Sequence, residues 1–321
     1  EMSASLVGSE MCIRDRVKIQ NACQAPEADV HFLVGGTQTN TTVIAAVLRP
    51  WQGVLCAVSG HINCHEAGAI ESTGHKVITL PTTNGKITAQ QVQEYVEWHR
   101  NDESTEHIVQ PGMVYISYPT EGGTLYSKAE LTELYDVCRR YGLPLFIDGA
   151  RLGYGVMADG ADLTLPEIAR LCDVFYIGGT KVGALFGEAV VIMNPALKKD
   201  FRFIMKQRGG RMAKGRLLGI QFDALFTDDL YFRISRHADE MAYQIRDIFV
   251  SAGYPLLFDS PTNQQYPIMP DEELAILGKN FGYEYWERTD PTHSGVRFCA
   301  SWATTQENVD ALRAAVQALK K

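Results

Sequence analysis

Two short apolar runs, each leading to a charged residue, constrain the fold of this chain most. Leu145–Ile147 leads to Asp148, and Val174–Ile177 leads through a Gly-Gly-Thr turn to Lys181. Both runs are rich in β-branched and aromatic residues, which is typical of strands buried in a parallel sheet. Between Asp148 and Lys181 there is room for one crossover helix, predicted at residues 165–171. Both charged side chains are therefore expected at the carboxyl edge of an open α/β sheet, where ligands bind.

A carboxylate and an amine at one sheet edge suit the chemistry of pyridoxal 5'-phosphate. This cofactor needs a lysine that forms a Schiff base with it. It also needs an acidic group that keeps its ring nitrogen protonated, so that the ring accepts electrons from a carbanion. Asp148 and Lys181 fit these two roles. An isolated pair of this kind is more often an internal salt bridge or two solvated loop residues.

Composition excludes several classes of function. A net charge of −8 over 321 residues provides no basic surface for nucleic acid or an anionic membrane. No apolar run of about 18 residues is present that would span a bilayer. The 7 cysteines are odd in number, scattered and without a C-x-x-C pair, which favours a reducing compartment. We expect a cytoplasmic protein.

The first sixteen residues, EMSASLVGSEMCIRDR, show neither a helical period nor the pattern of a signal peptide. We expect residues 1–16 to be a non-native tail and to contain no helix. Residues 17–228 are expected to form a large domain, and residues 229–321 a small C-terminal α/β domain with an antiparallel sheet. The boundary is placed where the helical pattern breaks, at Thr227-Asp228-Asp229.

A glycine turn follows the strand predicted at His31–Val34. Gly35 and Gly36 form the turn, and Thr37 and Gln38 then open a helix with an apolar face. This order directs free backbone N–H groups and the positive end of the helix dipole toward an anion such as phosphate. A plain strand-to-helix turn is the alternative.

His61 and His65 lie four positions apart, beside Cys64 and Glu66. Such a cluster raises the question of a metal site, whereas capping or packing histidines are the alternative. The H-E-x-x-H pattern is absent, and no metal is predicted.

Arg297 stands on a predicted strand that is otherwise apolar, in SGVRFCASW. An arginine in such a strand implies an anion that it meets, which suits a cleft between the two domains. Arg151, three residues after Asp148, fits a surface salt bridge by position alone.

The strings FIDGARLG, around Asp148, and GGTK, ending at Lys181, resemble the family of low-specificity threonine aldolases and related β-eliminating lyases. The resemblance extends from about Ala22 to the C-terminus. It implies the α/β fold of the fold-type-I pyridoxal-phosphate enzymes, which is transferase-like with a mostly parallel sheet in the large domain. It also implies a homodimer or homotetramer. Threonine aldolases carry an N-terminal arm that supplies a serine to the substrate carboxylate, and no segment here matches it.

The resemblance implies a role for each matching position in binding the cofactor. VGGTQTN is similar to the family's phosphate-binding turn, and His61, five residues before Glu66, matches the histidine that stacks on the cofactor ring. In QRGGRMAKGR, only Gly-Gly and Met keep the register of the family's G-G-G-M-R-Q, which lies near the cofactor phosphate of a neighbouring subunit. Arg211 or Lys214 is a candidate contact to that phosphate, and a solvated basic loop is the default alternative. The implied cofactor-binding residues are Gly35, Gly36, Thr37, Gln38, His61, Asp148 and Lys181.

For the substrate, Arg151 and Arg297 match the two arginines that bind the α-carboxylate in the family. The loop YPTEGG departs from the family's E-N-T-H-N-G pattern. Tyr118 stands where the family has glutamate, and Glu121 where it has a histidine that assists catalysis. Glu121 is therefore placed near the aldehyde portion of the substrate, as a base or as a solvated side chain.

These implications predict an aldolase that cleaves threonine or allo-threonine to glycine and acetaldehyde, with Lys181, His61 and Asp148 as its catalytic residues. His61, or a water that it orients, would take the proton of the β-hydroxyl. The departures at Tyr118 and Glu121 leave β-elimination to pyruvate and ammonia as an alternative. The unmatched arm leaves a catalytically silent cofactor-binding protein as another.

Overall fold

The computed structural model describes residues 13–213 and 215–320. Most of the expected tail, residues 1–12, lies outside the described residues. Helix α1 (Ile13–Ala22) begins inside the expected tail, so the prediction that this stretch contains no helix is wrong from Ile13 onward. An acidic residue in the first turn, Asp15, favours this helix start through the helix dipole.

A seven-stranded sheet forms the larger part of the molecule, with strand order β1-β7-β6-β5-β4-β2-β3. Six strands run parallel to one another, and β7 pairs antiparallel with both β1 and β6. The mostly parallel sheet predicted for this part of the chain is confirmed. The strands are β1 (Asp29–Leu33), β2 (Gln52–Ala57), β3 (Val77–Leu80), β4 (Gln110–Ser117), β5 (Leu145–Asp148), β6 (Val174–Gly178) and β7 (Glu188–Ile192).

Helices cover both faces of this sheet, and capping residues fix several of their ends. Ser127 and Glu130 form a capping box at the start of α5. The crossover helix between β5 and β6 is α7, as expected. After α1, the helices of this part are α2 (Gly36–Val47), α3 (His61–Cys64), α4 (Ala89–Asn101), α5 (Lys128–Tyr141), α6 (Leu152–Met157), α7 (Leu165–Arg170), α8 (Pro195–Lys198), α9 (Phe201–Gln207) and α10 (Arg216–Leu225).

The sequence predicts one helix over residues 195–207, and the structure has two, α8 and α9. Asp200 separates them in the left-handed backbone region, with φ of 63°. Aspartate tolerates this region better than most residues, but a helix cannot continue through it. Asn194 caps α8, since its side chain accepts a hydrogen bond from the N–H of Ala196 at 2.9 Å.

The C-terminal part has its own antiparallel sheet, as expected. Strands β10, β11 and β8 are neighbours in that order, and β9 also pairs with β11. None of the helices in the described part of the chain combines the length and apolar character needed to cross a membrane. The elements are α11 (Leu230–Ser251), β8 (Gln264–Gln265), β9 (Ile268–Pro270), α12 (Asp271–Leu277), β10 (Glu284–Asp290), β11 (His293–Cys299) and α13 (Gln306–Ala318).

Helix α11 joins the cores of the two sheets. Its first half, with Tyr231 and Ala238, packs into a core of the large sheet. Its second half, from Met241 to Phe249, packs into the core of the small sheet. The predicted helix break is present at Asp228 and Asp229, which have φ of 50° and 55°. The domain boundary that we place there stays a prediction.

Candidate active site

A cavity of about 320 Å³ opens at the carboxyl edge of the large sheet, where β4 and β5 end. The small sheet contributes Glu284, Tyr285 and Trp286 to its wall. The structure brings six of the predicted site residues together there. They are His61, Glu121, Asp148, Arg151, Lys181 and Arg297.

Asp148 is the last residue of β5 and is only 4% exposed. Its Oδ2 accepts hydrogen bonds from the hydroxyl of Tyr115 at 2.5 Å and from the amide of Asn40 at 3.0 Å. Its Oδ1 accepts from the hydroxyl of Tyr176 and from the N–H of Ala150. Four donors from four segments of the chain therefore fix this carboxylate.

These contacts decide the ionisation of Asp148. Burial alone would raise its pKa. The charge of His61 and the hydrogen bonds from Tyr115, Tyr176 and Ala150 outweigh burial, and the pKa lies below its usual value. Asp148 is therefore a buried carboxylate that stays ionised.

Lys181 lies in the turn after β6, and its pKa is lowered from 10.5 to about 8. Burial is the main cause and the charge of Arg151 adds to it, while Asp148 and Glu188 act in the opposite direction. The hydroxyl of Tyr154 donates to the carbonyl oxygen of Lys181 and anchors the turn. A larger fraction of this amine than of an ordinary lysine is therefore unprotonated near neutral pH, which favours its use as a nucleophile.

Glu188, the first residue of β7, anchors the same turn. Its Oε2 accepts the N–H of Gly179 at 3.0 Å, and it is 3% exposed. Burial raises its pKa to about 7, against hydrogen bonds from Thr180 and Gly179 that lower it. Sequence analysis missed Glu188 because the antiparallel direction of β7, which returns this residue to the site, is not evident from the strand pattern.

His61 is the first residue of the short helix α3, and its ring contacts Glu66. Its Nδ1 lies 2.8 Å from Oε1 of the buried Glu66. Burial alone would lower the pKa of His61, but the hydrogen bond to Glu66 and the charge of Asp148 raise it. Since a carboxylate only accepts hydrogen bonds, Nδ1 carries a proton and Nε2 is the nitrogen left for proton exchange.

Glu121 is held against His61, so the alternative of a solvated side chain is wrong. Its Oε1 accepts the backbone N–H of His61 at 2.9 Å and the hydroxyl of Ser117 at 2.6 Å. Burial and the charge of Asp148 raise the pKa of Glu121, whereas the hydrogen bond from Ser117 lowers it.

Tyr118, at the other position where the loop departs from the family pattern, is 1% exposed and packs in the core of the large sheet.

His65 lies between two aromatic rings of the cavity wall. Its ring centroid is 5.5 Å from that of His61 and 6.2 Å from that of Trp286. Burial, together with the charges of His61 and Arg297, lowers its pKa. No group of three or more His, Cys, Asp or Glu side chains within residues 13–213 and 215–320 is arranged to hold a metal ion.

The two predicted carboxylate-binding arginines have different surroundings. Arg151 precedes helix α6 as its N-cap residue. Arg297 stands on β11 and forms an ion pair with Glu284. Its guanidinium also lies 5.5 Å from the centroid of the Trp286 ring. The anion that the sequence led us to expect beside Arg297 is thus supplied by the chain itself.

The predicted phosphate turn lies at the N-terminus of α2, with Gly35 as the N-cap. Asn40, which donates to Asp148, comes one turn further along this helix, about 6 Å of helical rise from Gly36. The side chain of Gln38 is occupied, since it accepts the N–H of Val34 and donates to the carbonyl of Arg208. Free backbone N–H groups of the first turn, rather than this side chain, are thus the groups that can meet an anion.

The four residues of this turn do not line the cavity. They connect to it through Tyr176, whose hydroxyl is 3.3 Å from the position that a Cβ on Gly36 would occupy. Of the two basic candidates for a phosphate contact, Arg211 is exposed. Lys214 lies outside the described residues.

Known proteins resemble this chain both in sequence and in fold. The model of the family described as beta-eliminating lyase matches residues 16–315. A low specificity L-threonine aldolase of Pseudomonas sp. (strain NCIMB 10558) is 30% identical over 91% of this chain and 84% of that protein. One of Pseudomonas aeruginosa is 29% identical over 88% and 81%.

Among solved structures, a threonine aldolase of Leishmania major superposes with a TM-score of 0.93 and 42% identity, over 97% of this chain and 90% of that one. A serine palmitoyltransferase of Sphingomonas wittichii superposes with a TM-score of 0.69 at 12% identity, over 96% and 76%. At that identity the likeness concerns the fold alone. The transferase-like fold predicted from the sequence is confirmed.

Proposed function

Because this chain belongs to the beta-eliminating lyase family, we propose that it is a pyridoxal-phosphate-dependent aldolase that cleaves threonine or allo-threonine to glycine and acetaldehyde. One observation carries the proposal. An amine with a pKa of about 8, Lys181, and a buried carboxylate with a lowered pKa, Asp148, meet in one cavity with two arginines. The threonine aldolases among the relatives favour aldol cleavage over β-elimination and over a silent binding protein.

The donor set of the site fits pyridoxal phosphate. Asp148 would hold the ring nitrogen, Lys181 would supply the amine for its aldehyde, and the N-terminus of α2 at Gly36 and Thr37 would hold its phosphate. His61, on the cavity wall, offers a flat ring for stacking. When bound, the cofactor supplies an electron sink that stabilises negative charge at Cα of the substrate.

The remaining groups bind the substrate. Arg151 and Arg297 supply two guanidinium groups that would fix the α-carboxylate, because arginine binds a carboxylate through two parallel hydrogen bonds. Glu284 shares this wall of the cavity. The small sheet thus contributes to substrate binding, and the large sheet would hold the cofactor.

His61 would remove the proton from the β-hydroxyl as the bond between Cα and Cβ breaks. Glu66 fixes the ring through Nδ1, which leaves Nε2 as the accepting atom. Glu121 would orient the backbone of His61 through its hydrogen bond to the N–H. Aldehyde release leaves this proton on His61, and Cα must then take up one proton, from His61 or from solvent in the open cavity, to give glycine.

We also propose that the protein is a cytoplasmic homodimer or homotetramer. Large apolar side chains stand exposed beside the lysine turn, since Leu185 is 88%, Leu217 58% and Ile220 52% exposed. Gln221 joins Leu185 to the helix that carries Leu217, because its side chain accepts the N–H of Leu185 and donates to the carbonyl of Leu217. Exposed apolar surface of this kind is typical of subunit contacts. Light scattering of the purified protein measures the assembly directly.

The function is tested by product analysis. Protein loaded with pyridoxal phosphate is incubated with threonine and, separately, with β-chloroalanine, and acetaldehyde, glycine and pyruvate are measured. Acetaldehyde and glycine are expected in equal amounts from threonine. Pyruvate from β-chloroalanine without acetaldehyde from threonine would replace it by β-elimination, and no product from either would indicate a silent binding protein.

A further inference from the structure

Arg297 is already paired with a carboxylate of its own chain. Glu284 lies directly opposite Arg297 in the antiparallel pair of β10 and β11, and its Oε2 forms an ion pair with Nη2 of the arginine. The side chain of Arg297 is 16% exposed, whereas that of Glu284 is 67% exposed. The arginine is therefore the fixed member of the pair, and the glutamate is the member whose side chain can leave the pair and become solvated.

The pair leaves the guanidinium incompletely satisfied. Nη1 donates to Oε1 of Gln264 at 3.0 Å, and Nη2 donates to Glu284. Nε of Arg297 is buried and has no hydrogen-bond partner in the described part of the chain. Nε and Nη2 form one edge of the guanidinium, which matches the two oxygens of a carboxylate. A carboxylate that took both nitrogens would satisfy the buried donor that Glu284 leaves unpaired.

We propose that Glu284 competes with the α-carboxylate of the amino-acid substrate for Arg297. The substrate displaces Glu284 from the arginine as it binds. The inference rests on the proposed function, in that Arg297 is taken as a carboxylate-binding group of the site. Both residues line the cavity that contains Asp148 and Lys181, so the exchange happens where the substrate binds. Glu284 then raises the substrate concentration needed for half saturation without entering the reaction.

The size of the effect follows from the exposure of the pair. An ion pair with one exposed member favours its closed form by about fivefold at most. Since the apparent affinity of a ligand falls by the fraction of sites that are free, Glu284 is expected to raise KM by about two- to fivefold. A ligand without a carboxylate cannot replace Glu284, so the pair also selects for carboxylates.

The first test compares Glu284→Gln with a matched control, Glu287→Gln. Glu287 is exposed on the same strand, and its replacement removes the same charge without touching Arg297. Glu284→Gln is expected to lower KM for threonine about two- to fivefold with unchanged kcat, and Glu287→Gln to leave both unchanged. Glu284→Ala provides a second variant with the same expected direction.

The second test measures binding without turnover. 3-Hydroxybutyrate carries the carboxylate and β-hydroxyl of threonine but no amino group, and its binding to the cofactor-loaded protein is measured by calorimetry. Glu284→Gln is expected to bind it tighter by the same factor as the change in KM. Equal or weaker binding than in the wild type, an equal gain in Glu287→Gln, or binding by neither protein would overturn the inference. Absence of threonine cleavage in the wild type would instead refute the proposed function, and the calorimetry would still decide the role of Glu284.

Discussion

Tyr176 and Asp148 lie side by side on the parallel strands β6 and β5, and the tyrosine hydroxyl donates a hydrogen bond to Oδ1 of the aspartate. Tyr115, on β4, supports the other oxygen from the opposite side. Both hydroxyls belong to fully buried side chains, so they donate from fixed positions. The ionised state of Asp148, on which the proposed cofactor chemistry depends, thus rests on the charge of His61 and on hydrogen bonds from its two neighbouring strands.

The first prediction concerns Tyr176→Phe. Loss of a hydrogen bond to a charged group is expected to destabilise the fold by about 1.5–3 kcal/mol at neutral pH. Because the pKa of Asp148 is lowered in the folded state, the ionised side chain stabilises the fold at pH values above 3.8, its ordinary pKa, which applies to the unfolded chain. This stabilisation is lost as the pH falls below 3.8. In the variant the pKa of Asp148 is expected to lie closer to 3.8, so that the loss of stability in acid is smaller and is complete at a higher pH.

Urea unfolding between pH 3 and pH 7 measures both effects. Tyr231→Phe is the matched control, because its buried hydroxyl donates to a backbone carbonyl, that of Gly178, at 3.0 Å. The control is expected to lose stability without a shift in its acid profile. Identical acid profiles in all three proteins would show that Tyr176 does not set the pKa of Asp148.

The second prediction concerns Glu188, whose pKa is raised from 4.5 to about 7 by burial. Because the folded state favours the protonated form, Glu188 weakens the fold progressively as pH rises from 4.5 to 7. Glu188→Gln keeps an acceptor for the N–H of Gly179 and removes the charge. The variant is expected to be more stable than the wild type at pH 8, by up to about 3 kcal/mol, and to lose this advantage at pH 4.

Denaturant titration of cofactor-free protein at the two pH values checks this expectation. Glu287→Gln, at an exposed position, serves as the control and is expected to change stability little at either pH. A stability loss in Glu188→Gln at pH 8 would mean that ionised Glu188 stabilises the lysine turn.

The third prediction separates His61 from Glu121 as the group that accepts the β-hydroxyl proton. The pKa of His61 is raised, so kcat/KM for threonine is expected to increase with pH through a value above 6.5, as His61 loses its proton. His61→Asn is expected to lower kcat about 10²- to 10⁴-fold and to remove this dependence. Glu121→Gln keeps an acceptor for Ser117 and is expected to lower kcat less than about tenfold, with the dependence retained. The reverse order of effects would assign the proton transfer to Glu121.

Much of this architecture could be predicted from local sequence patterns. The runs before Asp148 and Lys181 are apolar throughout because their strands are buried on both faces, and such runs identify parallel strands without further information. Capping residues such as Ser127 also indicate where a helix begins, because the capping side chain and the backbone N–H that it accepts lie within one turn. The placement of His61 and Arg297 in one cavity with these residues followed from the family resemblance.

The site residues that could not be predicted from the sequence depend on contacts between distant segments of the chain. Tyr115 and Tyr176 are indistinguishable from core aromatic residues until the strands are placed beside Asp148. Buried tyrosine hydroxyls need a partner, so a tyrosine in a strand next to a functional carboxylate was the available signal. Glu188 and Glu284 reach the site only through antiparallel pairing, whose register the sequence does not reveal.

If Lys181 holds a pyridoxal phosphate beside Asp148, chemical trapping will mark this lysine. Protein loaded with pyridoxal phosphate is reduced with borohydride, digested, and mapped by mass spectrometry, with Lys181→Ala as the control. A pyridoxyl group is expected on the peptide that contains Lys181, and none at any lysine of the variant. A pyridoxyl group on a different lysine, or none in the wild type, would contradict this expectation.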